Sequence, residues 1–169
     1  MSQAVDEHKK SKPASVRPGL LRDPVHLLAF GFGAGLSPYA PGTFGTLVAV
    51  PIVLLVSQYG WVVHLAFALF AFVGGIYICG ASARKLGVHD HPAIVWDEIA
   101  GYSVTMLAAP SEPAWLAAGF VLFRFFDIVK PSPIREADHS LRGGLGIILD
   151  DIIAGLFAGA ILFAVNLLL

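Results

Sequence analysis

The chain has 169 residues, 56% of them hydrophobic and 14% charged, with mean hydropathy +0.74 and a formal net charge of −1. A soluble domain carries about 25% charged residues, so this composition argues against a water-soluble globule and for one membrane-embedded domain. The near-zero charge, without a basic stripe, argues against nucleic acid as a partner, and the single Cys79 excludes an internal disulfide framework.

Residues 1–23 hold Lys9, Lys10, Lys12, Arg17 and Arg22 among polar and proline residues. They read as a flexible basic tail, without the apolar core and cleavage site of a leader. Residues 24–169 read as a helical membrane domain. From Pro24 to Ala83 there is no Asp, Glu, Lys or Arg. "GFGAGLSPYAPGTFGT" (31–46) follows early in this stretch. Glycine lets backbone amides approach an anion, and Thr43 can cap a helix whose N-terminus attracts phosphate. The segment lacks Walker spacing, and taken alone it reads better as close packing of small residues.

Five helical spans are expected. The first covers residues 43–59, kinked at Pro51; the turn Gln58-Tyr59-Gly60 leads to the second, 61–82. "HDH" (89–91) could supply a metal ligand or proton donor, although by itself it reads as a polar loop. The third span covers 94–109, the proline-bounded "PSEP" turns the chain, and the fourth covers 114–129. The fifth, 146–169, is long enough for a bilayer core of about 30 Å. These apolar runs lack a period of two, which favours helices over barrel strands. His64, inside the second span, reads as a packed residue.

Lys and Arg occur in the tail, in an expected loop at Arg84–Lys85 and between Lys130 and Arg142, whereas the two opposite turns have none. The basic segments therefore belong on the cytoplasmic side, with the C-terminus across the membrane. This topology brings Asp97, Glu98, Asp127, Asp150 and Asp151 to one depth, at the cytoplasmic ends of their helices. Clustered carboxylates there suit Mg²⁺, which takes oxygen ligands and keeps waters for a substrate phosphate. Helix capping would explain Asp97, Glu98, Asp150 and Asp151 singly. It fails for Asp127, which lies at a helix C-terminus.

"FRFFDIVKPSPIREADHSLRGG" (123–144) spaces Arg124, Asp127 and Lys130 along nearly one helical face. Cations beside acids suit a phosphate bridged to a metal. A local ion-pair ladder or anchoring to anionic headgroups would use the same residues.

Taken together, "LSPYAPGTFGT" (36–46), "HDHPAIVWDEIAG" (89–101) and "FRFFDIVKPSPI" through "GGLGIILDDIIAG" (123–155) resemble the phosphatidylglycerophosphatase A family. The resemblance covers about residue 28 onward and rests on three separated motifs in the right order. It implies an all-α polytopic fold in the bacterial inner membrane. The implied activity is a Mg²⁺-dependent phosphatase converting phosphatidylglycerophosphate to phosphatidylglycerol. It favours substrate binding by the 31–46 loop, through Ser37, Thr43 and Thr46, beside Arg124, Lys130 and Arg135. It likewise favours a catalytic set of His89, Asp90, Asp127 and Lys130, with metal at Asp97, Glu98, Asp127, Asp150 and Asp151. Direct attack by water is expected, with His89 as candidate acid for the leaving oxygen; a phospho-aspartate is the other route.

Membrane lipids are the expected surroundings, and self-association is left open. Three rivals stand beside this reading. A small ion or proton transporter would want its acids nearer the midplane. An anionic-lipid-binding scaffold would have little use for the acids, and a related phosphatase could take another phosphomonoester.

Overall fold

The computed structural model describes residues 16–88, 90–132, 134 and 143–168, and every regular element among them is helical. In chain order, α1 is Pro24–Ala29, α2 Pro41–Ser57, α3 Trp61–Leu86, α4 Trp96–Thr105, α5 Pro113–Val129 and α6 Gly144–Leu168. Short 3-10 turns occupy Pro18–Arg22, Gly31–Leu36 and Met106–Ala108.

The short helix α4 lies at the centre, touching α2, α3, α5 and α6. Its Ile99, Ala100, Tyr102, Ser103 and Thr105 are fully buried. Small residues let the neighbouring backbones close on it. A Cβ on Gly155 of α6 would run into the Gly101 carbonyl, and one on Gly101 into the Asp151 carbonyl. Polar groups in this dry core are satisfied internally, as a water-free interior requires. Ser103 Oγ donates to Ile99 O at 2.7 Å and Thr105 Oγ1 to Gly101 O at 3.0 Å. Trp96 Nε1 donates to Ala71 O at 2.9 Å, and Tyr102 OH to Leu116 O at 2.9 Å. His64 is buried, its Nε2 3.1 Å from Ser103 O, in keeping with a packed residue.

Two helices, α3 and α6, are long and apolar enough to cross a bilayer. They present Val62, Phe70, Val73 and Tyr77, and Leu156, Phe163 and Leu167, on their exposed faces. α2 and α5, at 17 residues each, reach about 25 Å at 1.5 Å per residue. With its following 3-10 turn, α4 extends only about 20 Å, and it is largely buried by its neighbours.

Three local expectations change. α3 continues to Leu86, so Arg84 and Lys85 sit in its last turn, where cations complement the helix dipole, and not in a loop. α2 begins at Pro41 with Ala40 as its N-cap, so Thr43 lies inside the helix and caps nothing. Asp150 and Asp151 lie in the second turn of α6, whose first turn holds no acid. Capping therefore does not explain them.

Residues 16–23, at the end of the stretch read as a tail, pack Leu20 and Leu21 against the core. Asp23 accepts from Val25 N–H at 2.9 Å, capping α1, and pairs with Lys85 at 2.5 Å. His26 Nδ1 lies 2.9 Å from Ser82 Oγ, which holds α1 on α3. Val95 N–H donates to Ala29 O at 2.8 Å, fixing the entry into α4.

Candidate active site

The starts of α2, α4 and α6 and the end of α5 meet around a cavity of about 290 Å³. Ala40, Pro41 and Gly42 form one wall, and Asp90, Pro92 and Ile94 another. Asp97 and Glu98 enter from α4, Arg124, Asp127, Ile128 and Lys130 from the end of α5, and Ile147, Asp150 and Asp151 from α6. All five carboxylates expected to hold a metal thus share one cavity, although they come from three separate places in the sequence.

The charges are arranged in two linked groups. Arg124 Nη1 lies 2.5 Å from Asp127 Oδ2 and 3.6 Å from Glu98 Oε1. Lys130 does not simply extend a ladder along α5. It ends the helix with a left-handed backbone, φ 43°, and its Nζ lies 2.5 Å from Asp150 Oδ2 on α6. Asp97 Oδ1 accepts from Glu98 N–H at 3.2 Å, a local bond at the start of α4.

Carboxylate oxygens of Asp97, Glu98 and Asp151 lie within 4.8 Å of one another, as do those of Asp127, Asp150 and Asp151. Asp151 is only 3% exposed, and its Oδ2 is buried without a hydrogen-bond partner, as is Glu98 Oε2. An anionic oxygen in that position carries a desolvation cost that a cation would offset. The donors are all hard carboxylate oxygens, so the set fits Mg²⁺ better than a softer metal.

One glycine of the wall lies directly against charged side chains. A Cβ on Gly42 would collide with Glu98 Oε1 and press on the Arg124 guanidinium. The 31–46 segment therefore meets the cavity through the backbone of residues 40–42, while its three candidate hydroxyl residues lie outside the lining. Ser37 Oγ donates to Tyr39 O at 2.8 Å in an exposed turn, and the fully buried Thr46 donates to Gly42 O at 2.9 Å. Thr43 is half-buried on α2. Asp90 lines the cavity, whereas His91 turns inward and accepts from Ala93 N–H at 3.1 Å. His89 and Arg135 lie outside the described residues. Sequence reasoning pointed to the glycines of 31–46 as a group without singling out Ala40 or Gly42, for which the Ala-Pro-Gly step into an apolar run was the available signal. Nothing in the sequence marked Ile94, Ile128 and Ile147 as lining residues.

The family model for Phosphatidylglycerophosphatase A matches residues 27–166. Over 147 residues the chain is 44% identical to the Phosphatidylglycerophosphatase A of Escherichia coli K12, covering 86% of each chain. Over 148 residues it is 46% identical to the protein of that name from Haemophilus influenzae Rd, covering 86% of this chain and 91% of that one. It is also 37% identical over 151 residues to a provisionally named phosphatidylinositol-3-phosphatase of Bacteroides thetaiotaomicron, covering 84% and 91%. No solved structure matches the chain. Every described residue of the cavity falls inside the matched span, and the chain belongs to the Phosphatidylglycerophosphatase A family.

Proposed function

We propose that this chain hydrolyses phosphatidylglycerophosphate to phosphatidylglycerol and inorganic phosphate, with Mg²⁺ as its cofactor. The observation that carries this reading is the meeting of five acids, Arg124 and Lys130 in one cavity of a chain from this family. Two relatives that share the family name support the lipid.

Asp97, Glu98, Asp127, Asp150 and Asp151 would hold Mg²⁺, which when bound supplies positive charge against the phosphoryl oxygens and acidifies water at neutral pH. Arg124 offers a planar fork and Lys130 a point charge to the remaining phosphate oxygens as charge spreads in the transition state. Amide groups at the start of α2, beside Gly42, add dipolar attraction for the same anion. Water attacks phosphorus as the bond to the glycerol oxygen breaks. Its proton passes to a carboxylate of the cavity, and the leaving oxygen takes one from an acid at the rim. Asp90 is placed at that rim, and His89 is adjacent to it in sequence.

The same reading makes the protein a multi-pass component of the bacterial cytoplasmic membrane, with its cavity on the cytoplasmic side. Its support is the placement of Arg84, Lys85 and Lys130 at helix ends on the cavity side, as positive-inside orientation requires. An ion or proton pathway would want its acids nearer the midplane.

The test is phosphate release by the purified chain in nanodiscs, with and without Mg²⁺. Phosphatidylglycerophosphate is compared with phosphatidylinositol 3-phosphate because of the more distant relative's name. Mg²⁺-dependent release, faster from the first lipid, is expected. No release from either overturns the enzyme reading, and preference for the second replaces the substrate.

A further inference from the structure

The acids of the cavity do not form a single ligand group. Their carboxylate oxygens make two triads, Asp97–Glu98–Asp151 and Asp127–Asp150–Asp151, each within 4.8 Å and with only Asp151 in common. Mg²⁺ keeps several waters and so takes few carboxylates, and five are more than one ion uses. The shared residue also has an oxygen without a partner. Asp151 lines the cavity at only 3% exposure, and its Oδ2 is buried with no hydrogen-bond partner. Glu98 Oε2, in the first triad, is likewise buried and unpartnered.

We propose that the cavity is a two-cation site in which Asp151 is the shared ligand, with Asp97 and Glu98 serving one position and Asp127 and Asp150 the other. Paired cations about 3.5–4 Å apart are a recurrent arrangement for phosphoryl groups, since the two can clamp opposite oxygens. The ion pairs fit a site that loads in this way. Arg124 holds Asp127 and Glu98, and Lys130 holds Asp150, so one cation restrains ligands of both positions and the other a ligand of the second. This inference rests on the Mg²⁺-dependent reading above and adds to it the number of ions and the residue that joins them.

Mn²⁺ serves as the probe, because it substitutes for Mg²⁺ at oxygen sites and is paramagnetic. The full chain in nanodiscs is titrated with Mn²⁺ by equilibrium dialysis, and the loaded protein is examined by electron paramagnetic resonance. Two Mn²⁺ per chain with an exchange-coupled spectrum are expected. Asp97→Asn and Asp127→Asn should each retain one ion with an uncoupled spectrum, whereas Asp151→Asn should weaken both positions. Glu112→Gln, in the turn at the opposite end of the helices, should retain two. A single Mn²⁺ at saturation, or Asp151→Asn losing only one ion, overturns the shared site while leaving the one-metal reading intact. No bound Mn²⁺ overturns both. The wild-type stoichiometry and spin coupling decide the number of ions even where a variant fails to fold.

Discussion

Lys130 Nζ lies 2.5 Å from Asp150 Oδ2, joining the last residue of one helix terminus to the second turn of another. Lys130 makes this reach from φ 43°, a backbone state that costs an L-residue about 1–2 kcal/mol. Strain of this kind persists where its surroundings hold it in place. Replacement by Gly and by Ala separates backbone from charge. Lys130→Gly should be more stable than Lys130→Ala by about 1 kcal/mol, read from thermal unfolding, because only Gly relieves the strain. Both should lower phosphate release by about tenfold or more, since both remove the cation. Equal melting of the two variants would show that the left-handed state carries no cost here.

Gly42 offers the converse experiment. Alanine improves helix propensity by up to about 1 kcal/mol, so Gly42→Ala should not reduce folded yield. Its methyl group would nevertheless displace Glu98 and the Arg124 guanidinium from their present positions. Turnover should fall by about tenfold or more, on the scale of displacing one charged group in a site. Full activity at normal yield would remove this wall from the site.

α1 carries a pH-dependent contact. Burial pushes the His26 imidazole below its ordinary pKa of 6.5; nearby Asp23 opposes that shift and Lys85 adds to it. The unfolded chain therefore takes up the proton first. The stability from a neutral His26 is present above pH 6.5 and is lost as pH falls through the lowered folded value. Melting temperature should decline as pH falls below 6.5, and His26→Phe, which keeps an aromatic ring beside Phe30, should flatten that decline. An unchanged slope in the variant would assign the pH dependence to other groups.

The orientation proposed for the helices can be read with fused reporters. A reporter after Leu169 should lie on the non-cytoplasmic side and one within residues 135–142 in the cytoplasm. Trp61 and Leu107, whose side chain and carbonyl meet at 3.2 Å, mark the end of the bundle remote from the cavity. A cytoplasmic C-terminus would overturn the topology.

Much of this arrangement was legible because charges stand out in long apolar runs. A carboxylate in an apolar run is costly, so Asp97, Asp127, Asp150 and Asp151 stood out, and the basic residues suggested which ends belong together. Helix boundaries were read to within a few residues for the same reason. What the sequence concealed was packing. Nothing in the composition of 94–109 showed that it would become a buried central helix, because Gly101 acts through Gly155 and Asp151, far along the chain. The hydroxyls of the 31–46 segment attracted attention by type, whereas its contact with the cavity is made by Ala40, Pro41 and Gly42. Pairing was hidden too. Spacing on α5 suggested a local ladder through Lys130, and only the backbone turn at that residue sends its charge to α6.

Asp150 and Asp151 provide the most direct test of what the acids do. Their place in the second turn of α6 removes helix capping as an explanation, so Asn at either position tests charge with little change in shape. Asp150 shares its charge with Lys130 and belongs to one carboxylate triad, whereas Asp151 belongs to both. The adjacent positions also point about 100° apart around the helix, so the two substitutions should differ in severity. Asp151→Asn should give folded, membrane-inserted protein with turnover reduced by about 10²-fold or more, the scale of losing a key electrostatic group. Asp150→Asn should lose less, because Asp150 belongs to only one of the two triads. Raising Mg²⁺ should recover part of the activity of either variant, since weaker ion binding is offset by mass action. Near-normal turnover in both would mean that two of the most deeply buried acids among the described residues have no part in the chemistry.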